Sequence, residues 1–288
     1  MRRLLLPITA ALMLVSACQT STPSTAFTDP PHDAAHPARM EVLHIPSGGV
    51  EINGVAYLAS GAGKHPTLVI CHGWPGNEKN LDLAQAVRRA GWNAVTFNYR
   101  GSWGSPGEFH FAQVPEDAAA VIAWLRTPEV AAKLGVDPAR VAIAGHSMGG
   151  WATAQVASKD PMLMGAVLIS AADMARLGDM PRAARVQAAS GNAETLVTTP
   201  EKMADELAGA VKALTLKSMA PGLSKLPVLV LSSDDGLAAG TDALAADIRG
   251  AGGKVQTAHE ATDHSWSDKR LRLAGLVTDW LKALPGGN

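Results

Sequence analysis

The sequence predicts one large α/β domain, and three observations carry that prediction. Short continuous apolar runs stand at 67–71, 141–144, 166–170 and 227–231. Runs of this length, rich in Val, Ile and Leu, belong to strands buried on both faces, as in a sheet covered by helices. Between them lie segments with apolar residues at helical spacing. The 288 residues are 47% hydrophobic and 18% charged, which gives one core of ample size. A net charge of −1 leaves no basic footprint for nucleic acid. No apolar run reaches membrane-spanning length.

The N-terminus has a different character. Arg2 and Arg3 precede an apolar run over 4–15, and Val15-Ser16-Ala17 supply small residues before a cleavage point. Residues 1–17 read as a secretory signal peptide, outside the fold. Val15-Ser16-Ala17-Cys18 resembles a bacterial lipobox, in which Cys18 is lipidated and becomes the mature N-terminus; an incidental cysteine is the alternative. Such an anchor holds a protein to a membrane without spanning it. By the same resemblance, Gln19 after the cysteine implies the outer membrane. Residues 18–38, rich in Ser, Thr, Pro and Ala, read as a flexible tether. Its His32 and His36 show no metal-ligand pattern. Cys71, ending an apolar strand, reads as a buried inert thiol.

The domain spans 39–288. Residues 40–45 and 50–58 read as a β-hairpin around Pro46-Ser47-Gly48-Gly49. The run at 67–71 ends in His72-Gly73-Trp74-Pro75-Gly76. A helix follows over 77–90, with Gly91 as its stop, then a strand over 93–99. Arg100 to Gly107 form a glycine-rich loop off its end. Loops at the carboxyl ends of strands line the site in an open α/β sheet. Trp103, Phe109 and Phe111 are candidates for a substrate pocket there, with packing against the sheet as the other reading. Arg100 reads as a structural tie between loops. A helix over 116–125 carries Asp117 near its start, where the helix dipole favours it. The strand over 141–144 and a helix from Trp151 flank the central motif. After the strand at 166–170, residues 173–222 break the strand–helix rhythm and read as a small helical cap over the site. A strand at 227–231, a helix over 238–249, a strand over 254–259 and a C-terminal helix over 268–284 complete the chain.

The chemistry centres on Gly145-His146-Ser147-Met148-Gly149-Gly150. Gly-x-Ser-x-Gly between an apolar strand and a helix is a sharp turn that exposes a serine above the sheet. Its flanking glycines allow close strand–helix approach, and the helix N-terminus favours negative charge. A nucleophilic serine needs a base, an acid that orients the base, and two N–H donors for the oxyanion. In the order Ser…Asp…His, the acid follows a later strand. Asp235, next to Gly236, is the candidate, and Asp234 competes. His264, in the last loop before the C-terminal helix, is the candidate base. His259 lies inside a strand and is the weaker choice; Asp263 supports the loop. The backbone N–H of Met148 is one oxyanion donor. Trp74 is the choice for the other, with Gly73 second, since Pro75 has no N–H. His72 reads as shaping this loop. Neither metal nor organic cofactor enters this chemistry.

With these residues in place, the chain resembles the α/β-hydrolase superfamily over nearly its whole length from about residue 40. The elbow motif, the His72-Gly73 loop, Asp235 and His264 occur in that superfamily's order. Asn98-Tyr99-Arg100-Gly101-Ser102-Trp103-Gly104-Ser105 is similar to the serine esterases and prolyl-oligopeptidase-like hydrolases within it. The resemblance implies a mostly parallel, doubly wound sheet of about eight strands. It implies a serine hydrolase acting on carboxylic esters of small or medium acyl groups, with a peptide or amide substrate as the alternative; the N-terminal pattern adds export. A membrane-anchored binding protein on a dead hydrolase fold is the reading from outside enzymology. The intact set of Ser147, Asp235 and His264 speaks against it.

Overall fold

The computed structural model describes residues 27–287. Their strands form one eight-stranded sheet in the order β1-β2-β4-β3-β5-β6-β7-β8. β1 (Arg39–Ser47) and β2 (Val50–Leu58) are the expected hairpin, and β2 also pairs antiparallel with β4 (Asn93–Phe97). β3 (His65–Cys71), β5 (Val136–His146), β6 (Ala166–Ile169), β7 (Val228–Ser233) and β8 (Val255–Glu260) are joined in parallel, as are β3 and β4.

The apolar runs are continuous because both faces are covered. Along β3, Val69 and Cys71 face one core while Leu68 and Ile70 face the other. In β5, Val141 and Ile143 alternate with Ala142 and Ala144 in the same way. This is the two-residue period of a pleated strand. The second core is closed by α1 (Leu81–Arg89) and α10 (Arg270–Ala283). The first is closed by α2 (Val114–Leu125), α3 (Pro128–Leu134) and α4 (Met148–Ala157), together with a later helix, α9 (Ala238–Gly250). Burial of Cys71 pushes its thiol up to about 12, so it stays protonated.

Residues 173–222 contain α5 (Met174–Leu177), α6 (Arg182–Ser190), α7 (Pro200–Ala208) and most of α8 (Leu216–Leu223). Arg185, 9% exposed, holds this layer together by donating to the carbonyls of Ala204, Gly178 and Met180. The segment before α7 is laced to the glycine-rich loop through backbone alone. Trp103 N–H donates to Thr195 O at 2.9 Å, Val197 N–H to Gly101 O at 2.7 Å, and Phe109 N–H to Val197 O at 3.0 Å.

Asp117 lies in the first turn of α2, as the dipole reading expects, and it also holds a buried network. It is fully buried, and its carboxylate accepts from the Ser47 hydroxyl, the Arg100 guanidinium and, at 2.9 Å, the Arg100 backbone N–H. A buried carboxylate needs such donors. They bind the hairpin, the loop after β4 and α2 into one unit, which is the tie foreseen for Arg100.

Candidate active site

The chain runs from β3 outward to β4, then returns to the other side of β3 for β5. Strand order therefore reverses between β3 and β5, and the crevice at such a point is where open α/β sheets bind ligands. Cys71 pairs with Gly145 across that boundary, so the loop beginning at His72 and the turn at Ser147 leave the sheet side by side.

Ser147 has φ 58° and ψ −123° and caps the N-terminus of α4. A serine at positive φ stores about 1–3 kcal/mol of strain and persists only where its surroundings enforce it. Here its N–H donates to Ile169 O at 3.0 Å, and its carbonyl accepts from Gly150 N–H at 2.9 Å and Ala172 N–H at 3.0 Å. β5, β6 and α4 thus grip the backbone on both sides. The N–H of Met148 opens the helix directly beside it.

Asp235 and His264 are hydrogen-bonded to each other. Asp235 Oδ2 lies 2.7 Å from His264 Nδ1, and Asp235 Oδ1 accepts from Leu237 N–H at 2.9 Å. Burial pushes the Asp235 carboxyl up, but hydrogen bonds from His264, Leu237 and Ser233 outweigh it and hold the group below its ordinary value. An ionised Asp235 places the imidazole proton on Nδ1 and leaves Nε2 as the basic nitrogen. The loop is pinned by Trp266, fully buried, whose Nε1–H donates to Ser170 Oγ at 3.0 Å; Ser170 meets Ser233 at 2.8 Å. Asp234 faces elsewhere. Its side chain is 63% exposed and pairs with His259 Nε2 at 3.0 Å, while His259 Nδ1 meets Ser232 Oγ. The two neighbouring aspartates each hold one of the two candidate histidines.

The loop after β3 passes tightly along Ser147. A Cβ on Gly73 would lie 3.0 Å from Ser147 Cβ and 3.3 Å from His146 O. The Trp74 backbone follows at once, and its ring packs edge-on against Phe111 at 5.2 Å. His72 donates from Nδ1 to Gly73 O at 2.7 Å, and its carbonyl accepts from Tyr99 Oη at 3.1 Å. Of the pocket candidates, Phe109 is 1% exposed and packs against Phe111, both rings within the core. Trp103 is half-buried at the rim; its Nε1–H donates to Pro75 O at 2.7 Å, and Lys79 Nζ stands 4.0 Å over its ring. Cys18 lies outside the described residues.

His72 and His146 are both buried, and burial brings each down to about 4 from an ordinary value of 6.5. The unfolded chain binds protons at these sites below pH 6.5, whereas the folded chain does not until about pH 4. Their neutral burial therefore costs nothing above pH 6.5, and stability falls as pH drops from there toward 4. At pH 5 the expected loss is on the order of 2 kcal/mol per histidine. Urea unfolding at pH 7 and pH 5 measures it, and His72→Phe should flatten the slope.

The family model for the alpha/beta hydrolase family matches residues 68–276. A segment of 114 residues is 31% identical to an uncharacterized protein of Mycobacterium tuberculosis strain H37Rv; the match spans 39% of this chain and 39% of that relative. Among solved structures, the thermostable carboxylesterase EstE1 from a metagenomic library superposes with a TM-score of 0.65 at 22% identity, over 86% of this chain and 90% of that one. The acylaminoacyl peptidase of Pyrococcus horikoshii superposes with a TM-score of 0.64 at 16% identity, over 85% of this chain and 41% of that one. Sheet order, the strained serine at the strand–helix turn and the matched span of sequence agree: this chain belongs to the alpha/beta hydrolase family.

Proposed function

We propose that the protein is a serine hydrolase that cleaves carboxylic esters of small or medium acyl groups through an acyl-enzyme on Ser147. The observation that carries this reading is the 2.7 Å pair of Asp235 and His264, whose loop touches His146, the residue before a serine held at φ 58°. His264 Nε2 takes the Ser147 proton as Oγ attacks the substrate carbonyl carbon. Asp235 stays ionised and stabilises the imidazolium. The backbone N–H groups of Met148 and Trp74 receive the oxyanion. Collapse of the tetrahedral intermediate breaks the C–O bond, and His264 returns its proton to the leaving alcohol. Water then attacks the acyl-enzyme, giving its proton to His264; the second intermediate breaks its bond to Oγ, His264 returns the proton to Ser147, and the carboxylic acid departs.

A fluorophosphonate probe tests the nucleophile. Labelling of the folded wild-type domain at Ser147 supports the reading, and a folded domain that takes no label overturns it. Asp235→Ala should abolish labelling at a concentration where Asp234→Ala labels normally; the reverse result would exchange their roles. Faster turnover of short p-nitrophenyl esters than of aminoacyl p-nitroanilides supports an esterase, and the opposite ranking makes the protein a peptidase.

The N-terminal pattern adds a proposed location: an exported protein held to the outer membrane through lipidated Cys18. The expected result is that Cys18→Ser moves it to the soluble periplasmic fraction. Unchanged membrane association rejects the anchor.

A further inference from the structure

His146 stands between Gly145 and Ser147, and the chemistry above assigns it nothing. Its side chain is hidden, with the residue only 4% exposed, so it does not face substrate. Its Nε2 lies 2.7 Å from the backbone carbonyl of His264. The two imidazole rings are 4.6 Å apart between centroids, tilted by 45°. A carbonyl oxygen only accepts, so His146 must carry its proton on Nε2. Its Nδ1 is buried and without a partner, as the lone-pair nitrogen of that tautomer can be. Burial and the neighbouring His264 keep the ring neutral at ordinary pH.

The loop carrying the base is held at several points. Trp266 anchors one side through Ser170, and Asp234 N–H donates to Thr262 O at 3.1 Å on the other. Asp235 fixes the tilt of the His264 ring through Nδ1. Arg270 Nη1–H also donates to Ser265 O at 2.9 Å. The contact from His146 differs from these in coming from the elbow itself and in reaching the backbone of His264 directly. We infer that His146 is a positioning residue: its Nε2–H bond to the His264 carbonyl sets the base at a fixed distance from the adjacent Ser147. The inference rests on the reading of Ser147 and His264 as nucleophile and base. A displacement of about 1 Å in such a pair costs up to roughly a hundredfold in rate.

Two substitutions separate the bond from the packing. His146→Phe keeps a flat ring and removes the donor; His146→Gln keeps a donor near the Nε2 position and removes the ring. The expected result is a drop of about 10- to 100-fold in kcat for His146→Phe with KM within about twofold, and recovery of most of that loss in His146→Gln. Nitrogen-15 NMR of the histidines in the wild-type protein gives a mutation-independent check: His146 should be the Nε2–H tautomer. Three results overturn the inference: kcat of folded His146→Phe within threefold of wild type, His146→Gln no better than His146→Phe, or an Nδ1–H tautomer. Failure of the catalytic reading has a different signature, a folded wild-type protein that neither labels with fluorophosphonate nor turns over esters.

Discussion

Ser147→Ala is expected to lower kcat on a short p-nitrophenyl ester by roughly four to six orders of magnitude, the range seen when a triad nucleophile is removed. On the proposed mechanism, what survives is the rate supplied by binding and by the backbone N–H groups of Trp74 and Met148, which the substitution leaves in place. The fold should be unaffected. The contacts that hold this residue run through its backbone, to Ile169, Gly150 and Ala172, and alanine keeps them. Kinetics and thermal unfolding on the same preparation check both halves. A loss below tenfold, or a loss matched by unfolding, would refute the assignment. Asp235→Asn tests the same triad from its far end. The amide can turn its NH₂ toward His264 and favour the wrong tautomer, and such a change has cost about 10⁴ in kcat in a triad enzyme.

Gly149→Ala is expected to be among the most damaging single-methyl additions in the molecule. The new Cβ would stand 2.1 Å from the Cys71 carbonyl oxygen and 2.6 Å from that of His72. Both obstacles are backbone, so no rotamer change relieves the clash. α4 must move off the end of β3, and the oxyanion loop moves with it. Overpacking in a rigid core costs about 1–3 kcal/mol and sometimes more. The absence of any side chain that can yield puts this site at ~3 kcal/mol or above. For a chain of this size that lowers Tm by about 5 °C or more. Differential scanning calorimetry decides, and a Tm within about 2 °C of wild type would show that helix and strand can separate there at little cost. Gly145 faces the same limit from the opposite side, since its Cβ would meet the Gly149 carbonyl at 2.0 Å.

Much of the fold and of the candidate site was legible because its signals are local. A strand buried on both faces writes itself as an unbroken apolar run, and the elbow needs small residues at fixed spacing. Asp235 and His264 follow late strands, where chain order alone directs attention. The rest depends on residues far apart in sequence. Asp117 read as a helix-start carboxylate because its neighbours are local, whereas its partners Arg100 and Ser47 are 17 and 70 positions away. The contact of His146 with the His264 carbonyl spans 118 positions, so within the motif His146 appeared as a variable letter. α3 escaped notice because Pro128–Leu134 is too short to show a period, although Pro at its first turn was a start signal. Phe109 offered no sequence cue separating a pocket wall from core.

The lacing between residues 195–197 and the glycine-rich loop has an evolutionary corollary. Its hydrogen bonds join peptide groups, with no side chain taking part. Peptide groups are the same whatever residue carries them. Descendants of this chain can therefore exchange the exposed side chains of that stretch, such as Val197, without unfastening the two segments from each other. The attachment is indifferent to how that stretch is spelled, proline excepted, because proline has no N–H to give.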